Sequence, residues 1–95
     1  LTIPLKNDED GTSHFAVGKV SLSMDTTNKD YATYSETLES KEGLITDIIF
    51  SVFGNHTMDE AKNDPEVIKT EILQKIQELF GSNFIYGVSF NFLYQ

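Results

Sequence analysis

The chain has 95 residues, of which 39% are hydrophobic and 12% aromatic, enough for one modest core and too apolar for an intrinsically disordered chain. The chain has seven lysines, no arginine and fifteen acidic residues. The resulting net charge of −8 excludes nucleic-acid binding and disfavours docking on anionic lipid. The absence of cysteine excludes disulfides, thiolate metal ligands and cysteine nucleophiles.

Two strands are predicted in the first quarter of the chain. Leu1–Leu5 alternates apolar and polar side chains, and Pro4, which lacks an N–H, suits an edge strand. Phe15–Met24 is the second strand, but its large apolar residues change parity near its middle. Because a strand with a period of two cannot change faces without an extra residue, this pattern predicts a β-bulge or a bend at Gly18.

A long helix is predicted over Tyr31–Phe53, with Asp30 as its N-cap. Its apolar residues recur at helical spacing, most clearly in the second half. Gly43 lies inside this segment and costs about 1 kcal/mol relative to alanine. The glycine therefore either bends the helix or splits it, with Ser40 capping the second part. Because the apolar stripe continues across Gly43, the sequence favours one continuous, bent helix.

The second half of the chain carries stronger start and stop signals. Thr57–Glu60 has the sequence of a capping box and begins a short helix. Asp64-Pro65 begins another helix, with the aspartate as N-cap and the proline at the first helical position, and Gly81 ends it. The last element is a strand over Phe84–Tyr94, which alternates large apolar with small polar residues.

These elements follow one another as β-β-α-α-α-β, an order that predicts an α+β domain spanning residues 1–95. We expect a small antiparallel sheet, packed by the long N-terminal helix and by the second, C-terminal helix. The apolar stripes of the helices and the alternation of the last strand predict five core residues: Ile48, Val52, Ile72, Ile76 and Phe90.

No catalytic or cofactor motif is present, so the chain is predicted not to be an enzyme and to bind no metal or cofactor. His56 precedes Asp59 and Glu60 and could form a metal cluster with them, but the capping box already explains the two carboxylates. The acidic loop before the second strand lacks most of the ligands of a calcium loop. A binding or assembly role remains.

Two tyrosines near the start of the long helix are the candidate interface residues. Tyr31 and Tyr34 lie one helical turn apart, beside a weakly apolar stretch. Tyrosine is enriched in protein–protein interfaces because it buries a large area at a low entropic cost. The alternative is that both rings cover the sheet of their own domain, and the sequence leaves both interpretations open.

In this arrangement the chain resembles the FliL family of flagellar basal-body proteins. The helical segment Leu44–Phe53 is similar to the end of the family's first long helix, and Asn55–Glu60 is similar to the turn that follows. Glu66–Phe80, closed by Gly81, resembles the next helix. The aromatic strand Ile85–Gln95 is similar to the family's C-terminal strand.

The resemblance implies a specific location and role. Family members are single-pass inner-membrane proteins, so a transmembrane helix is expected before residue 1, and the domain is expected in the periplasm. Their fold is similar to the stomatin/SPFH domain. They form rings around the flagellar stator, whose subunits are MotA and MotB, and they support torque and motility. Self-association and stator binding are therefore the expected interactions.

Two alternatives to the flagellar interpretation remain at this point. One is a stomatin-like membrane scaffold unrelated to flagella. The other, which the missing motifs disfavour, is a small-molecule-binding or enzymatic domain. A transmembrane segment of ~20 apolar residues upstream, followed by a polar linker, would favour the flagellar motor, whereas a cytosolic start methionine would favour a soluble enzyme or binder.

Overall fold

Three antiparallel strands form the sheet of this computed structural model, which describes all residues from 1 to 95. The strands are β1 (Thr2–Pro4), β2 (Phe15–Met24) and β3 (Ile85–Tyr94), and they lie in the order β1-β2-β3. Pro4 thus lies in an edge strand, as predicted. The antiparallel sheet and its helices confirm the α+β fold class.

Four α-helices separate the second strand from the third. They are α1 (Lys29–Tyr34), α2 (Glu42–Gly54), α3 (Met58–Asn63) and α4 (Pro65–Phe80). The longest, α4, contacts both β3 and α2, so it joins the sheet to the helical layer. None of the helices is both long and apolar enough to span a lipid bilayer. The order differs from the prediction by one additional helix.

The prediction of one continuous helix over Tyr31–Phe53 is wrong. Two short 3₁₀ turns, Ser35–Thr37 and Glu39–Lys41, separate α1 from α2. The hydroxyl of Thr37 donates to the carbonyl of Tyr34 at 2.9 Å, and the hydroxyl of Ser40 donates to the carbonyl of Thr37 at 2.8 Å. Serine and threonine have low helix propensity, and such local bonds compete with the α-helical ladder.

The sequence left open a split at Gly43, with Ser40 capping the second part, and the observed break differs from this alternative as well. Gly43 lies in the first turn of α2, after the break, and Ser40 does not cap that helix, whose N-cap is Lys41 without a side-chain bond. At the start of α1 the N-cap is Asn28 rather than Asp30, because the Asn28 side chain accepts from the Asp30 N–H at 2.8 Å.

The helix signals in the second half are confirmed. Thr57 and Glu60 form a capping box, in which each side chain bonds the backbone N–H of the other residue. Pro65 opens α4, although Asp64 makes no side-chain capping bond. Gly81 ends α4 in the left-handed conformation, with φ of 63°. These signals are local in sequence, which explains why they could be recognised.

The prediction of a bulge or bend at Gly18 is also wrong. β2 pairs with β3 in continuous register through Gly18, which lies opposite Phe92, and the irregularity falls between Ser23 and Met24 instead. The strand keeps one inward face throughout, and Gly18 occupies that face without a side chain. A Cβ atom there would lie 2.6 Å from Cδ1 of Phe92, so the glycine makes room for the aromatic ring.

Replacing Gly18 with alanine should therefore destabilise the domain by about 1–3 kcal/mol, because the added methyl group overpacks a filled site. The nearest atoms include the backbone oxygen of Asn91, which cannot move as a side chain can. Gly43→Ala is the matched control, since nothing lies within 4 Å of its Cβ position. It should stabilise α2 by about 0.4–1 kcal/mol. Urea unfolding of both variants tests this, and equal effects would contradict the assignment.

The hydrophobic core lies between the inner face of the sheet and the helices. Three of the five predicted core residues, Val52, Ile72 and Ile76, are no more than 1% exposed. Ile48 and Phe90 are half-buried and pack against the core. In α2 the buried positions before Val52 are Ile45 and Ile49, so the helix is rotated slightly from the predicted orientation.

Candidate interaction surfaces

The two candidate tyrosines both lie in α1 and pack against aromatic residues of the core. The ring of Tyr34 stacks on Phe84 at a centroid distance of 5.8 Å and lies 5.6 Å from Phe80. Tyr31 approaches Phe84 edge-on at 6.5 Å. Both tyrosines are half-buried. One side of each ring therefore covers the core, and the remaining area is available to a partner, so their interface role stays a prediction.

The start of α1 is tied to the turn that follows α4. A carboxylate oxygen of Asp30 accepts a hydrogen bond from the Ser82 hydroxyl at 2.6 Å. The Asn28 amide donates to the Asn83 side-chain oxygen at 3.4 Å. α1 has no fully buried residue of its own. These polar contacts and the two tyrosine rings are therefore what hold α1 on the domain.

An apolar groove of about 500 Å³ lies between β2 and the chain segment that leads into α2. We call it the β2 groove. One wall consists of inward-facing residues of β2 together with Lys19, and the other of residues from the 3₁₀ segment and α2. Glu39 and Glu42 line the helical wall. The apolar lining residues are Leu1, Val20, Leu22, Met24, Leu38, Ile45 and Ile49.

A second apolar surface lies on the outer face of the sheet, which no helix covers. Leu93 is 73% exposed and Phe15 is 43% exposed. Val17 pairs with Leu93 across β2 and β3 and lies between them. We call these three residues the outer corner. Apart from Tyr86, which is 61% exposed near the start of β3, the rest of the outer face of β2 and β3 consists of small or polar residues: Lys19, Ser21, Ser23, Gly87, Ser89 and Asn91.

Both histidines contact carboxylates that belong to other segments of the fold. His56 contacts Glu71 at 3.2 Å and Glu60 at 3.4 Å, which links the start of α3 to α4. His14 contacts Asp8 at 2.7 Å, with its other ring nitrogen 3.2 Å from the carbonyl of Gln95. Asp59 does not join His56. The structure brings together no group of three His, Asp or Glu side chains that could hold a metal ion.

The carboxylate of Glu60 has a role in the capping box that depends on its charge. The backbone N–H and the hydroxyl of Thr57 both donate to it at 3.1 Å. These hydrogen bonds, with a smaller contribution from His56, lower the pKa of Glu60 below its usual value of 4.5. The ionised form is therefore the one that the folded state stabilises.

The sign of this shift predicts an acid-sensitive contribution to stability. Glu60 contributes fully above its unfolded pKa, and the contribution is lost as the pH falls through the lower pKa of the folded state. Glu60→Gln should therefore make the decline of the unfolding free energy below pH 4.5 shallower. Asp59→Asn removes the same charge from the same turn without a capping bond, and it should keep the wild-type slope. A steeper slope in the glutamine variant would contradict the assignment.

Comparison with known proteins assigns the chain to a family. No curated protein matches the chain. The family model described as "Flagellar basal body-associated protein FliL" matches residues 1–95, which is the whole chain. The resemblance seen in the helical segments and in the aromatic last strand is thereby confirmed. Because the match covers every residue of the domain, the chain belongs to the FliL family of flagellar basal body-associated proteins.

Proposed function

We propose that this chain is a structural accessory of the flagellar motor, which forms a ring around the stator and supports torque generation. The family match over residues 1–95 is the observation that carries this proposal, since it gives association with the flagellar basal body. It favours the flagellar interpretation over an unrelated stomatin-like scaffold. A similarity of the fold to the stomatin/SPFH domain belongs to the same proposal.

The proposed location is the periplasm, with the domain held at the inner membrane by a transmembrane helix before residue 1. The composition supports this placement, because a chain without cysteine is insensitive to an oxidising compartment. A membrane anchor would also promote assembly. Tethering raises the local concentration of the domain and makes weak contacts sufficient. Without it, a net charge of −8 on every copy opposes association.

A closed ring needs a heterologous interface, in which one surface of a copy meets a different surface of the next. The domain offers separate apolar surfaces for such contacts. The outer corner exposes Leu93 and Phe15 on one face of the sheet. Tyr31 and Tyr34 lie on α1, whose chain segment continues towards the helical layer. We propose these two surfaces as the contact regions between copies or with the stator.

The test uses the full-length protein in motile cells. A fluorescent fusion should co-localise with stator units at the basal body, and deletion of the gene should lower the torque that the motor develops under load. Leu93→Ser combined with Phe15→Ser should reduce swimming without a large change in melting temperature. Val67→Ser, at a position that is 50% exposed on α4, is the matched control and should swim normally.

Two results would overturn the proposal. One is full torque in the deletion strain together with a fusion that is absent from the basal body. The other is a full-length protein that does not associate with itself or with stator subunits after cross-linking in membranes. For the isolated residues 1–95, sedimentation should give monomers or small oligomers, because the anchor is missing.

A further inference from the structure

Residues 29–41 lie across one end of the core without contributing a fully buried residue to it. We call this segment the strap. It comprises α1 and the two 3₁₀ turns that separate α1 from α2, and all of its side chains are half-buried or exposed. Three of them pack against the surface of the core: Tyr31, Tyr34 and Leu38. The strap therefore covers the core and does not form part of its interior.

The hydrogen bonds of the strap are almost all local. The N–H of Lys41, for example, donates to the carbonyl of Leu38 at 3.1 Å. No backbone hydrogen bond joins the strap to the sheet or to α4. Its single side-chain hydrogen bond to a distant part of the fold is the one between the Asp30 carboxylate and the Ser82 hydroxyl. Lifting the strap off the core therefore breaks one long-range hydrogen bond.

Aromatic contacts attach the strap to the core. The ring of Tyr34 contacts Phe80 and Phe84, and the ammonium group of Lys41 lies 5.5 Å from the centre of the Phe80 ring. Both ends of the strap are held independently of these contacts. Just before it, the N–H of Asp25 donates to the carbonyl of Phe84 at 2.7 Å, and α2 begins directly after it. The strap can thus leave the core surface while its two ends stay in place.

We propose that the strap opens as a unit while the sheet and helices α2 to α4 stay folded, and that opening uncovers Phe80 and Phe84. Every ordered residue of the strap loses backbone entropy, and few buried contacts offset this loss. Segments with few buried apolar contacts open at free energies well below that of global unfolding. The two phenylalanines are at most 5% exposed in the closed form. The strap is therefore a conformational device that controls access to an aromatic site.

This equilibrium is independent of ring formation, because it takes place within one copy of the chain. A ligand or partner that binds only the closed or only the open form shifts the population towards that form. Tyr31 and Tyr34 are the residues through which the strap rests on the core. A contact made by another protein at these tyrosines therefore acts on the opening equilibrium as well.

Native-state amide hydrogen exchange of residues 1–95 at low urea concentrations tests the opening. The reporters in the strap are the amides of Ser35 and Lys41, which bond to carbonyls of the strap itself. The reporter of the core is the amide of Ile72 in α4. Both strap amides should be protected at least about 100-fold less than the amide of Ile72. Equal protection of the three would mean that the strap unfolds only with the whole domain, and it would overturn the proposal.

The urea dependence of exchange distinguishes opening of the whole strap from fraying of single residues. In the proposed opening Ser35 and Lys41 share one free energy and one slope against urea. The slope should be smaller than that of Ile72, because opening exposes less surface than global unfolding. Two different free energies without any slope would show residue-by-residue fraying, and this result would contradict the proposal.

The hydrogen bond between Asp30 and Ser82 gives a test from both sides of the contact. Asp30→Ala and Ser82→Ala should each speed exchange in the strap about tenfold, and the double variant should add little to either. The effect at Lys41 should equal that at Ser35, since opening of the unit breaks the bond in every case. Glu36→Ala removes an exposed carboxylate from the strap and should have little effect. An effect confined to the residues beside Asp30 would overturn the proposal.

Tyr34→Ala removes a main anchor and should raise the population of the open form. Exchange at Lys41 should rise more than tenfold, and a dye that binds apolar surfaces should fluoresce more strongly because Phe84 becomes accessible. The amide of Leu93 in β3 should remain protected. Tyr86→Ala, at a tyrosine that is 61% exposed, is the control and should not increase dye binding. Unchanged dye binding, or loss of protection at Leu93 together with the strap, would overturn the proposal.

Discussion

Replacing Phe84 with alanine should lower the free energy of unfolding by about 3–5 kcal/mol. Phe84 is fully buried immediately before β3, where its ring meets Phe80 edge-on at a centroid distance of 5.3 Å. The rings of Tyr34 and Tyr31 lie on its other sides. Truncation loses the transfer free energy of the buried ring. It also leaves a cavity that borders three aromatic residues.

The matched control is Tyr86→Ala, two residues further along the chain. Tyr86 is 61% exposed, so its truncation should change the unfolding free energy by no more than about 0.5 kcal/mol. Urea denaturation followed by far-UV circular dichroism measures both variants. Similar losses from the two would mean that the aromatic cluster does not carry the stability assigned to it.

The Phe84→Ala variant also tests the role of the candidate tyrosines, Tyr31 and Tyr34. Since α1 has no fully buried residue, its attachment depends on the rings of Tyr31 and Tyr34 and on the Asp30–Ser82 hydrogen bond. Loss of Phe84 should therefore increase amide exchange in α1 more than in α2. It follows that interface tests at these tyrosines should use Tyr→Phe variants, which keep the ring contacts and remove only the hydroxyl.

The parts of the fold that could be predicted from sequence are those specified by local chemistry. The capping box at Thr57 and the glycine that ends α4 act within a few residues, and both are confirmed. The helix predicted over Tyr31–Phe53 failed because hydrophobic spacing persists through a segment whose serine and threonine residues favour 3₁₀ turns. Periodicity reports which face is buried, and it does not report backbone continuity.

The prediction at Gly18 was wrong because of a tertiary contact. The inward face of β2 carries a glycine because Phe92 from the neighbouring strand fills that space. In the sequence of β2 alone, this glycine produces an apparent change of the apolar face. The β2 groove could not be predicted for a similar reason. It lies between β2 and the segment that leads into α2, and it therefore depends on a relation between two distant parts of the chain.

The outer corner was missed although it has a signal in the sequence. Phe15 and Val17 share the parity that faces outward in β2, and Leu93 falls on the otherwise polar face of β3. Pairing in register brings the three together, and only the register makes them one surface. An apolar residue on the polar face of a strand is thus a useful indication of an interaction surface.

Ile72→Ala should lower the free energy of unfolding by about 2–5 kcal/mol. Ile72 is 0% exposed in the middle of α4, the helix that contacts both β3 and α2. The surrounding residues belong to separate elements and cannot all move inward together, so most of the cavity should remain. Because this site joins sheet and helices, its loss should lower the stability of the whole domain in one transition.

Val67→Ala provides the control within the same helix. Val67 is 50% exposed in the first turn of α4, so the variant shortens a branched side chain without opening a cavity. It should change the unfolding free energy by no more than about 0.5 kcal/mol. Denaturation in urea with the same slope in both variants would show that only stability has changed. A melting temperature of Ile72→Ala equal to that of the wild type would refute the placement of α4 against the sheet.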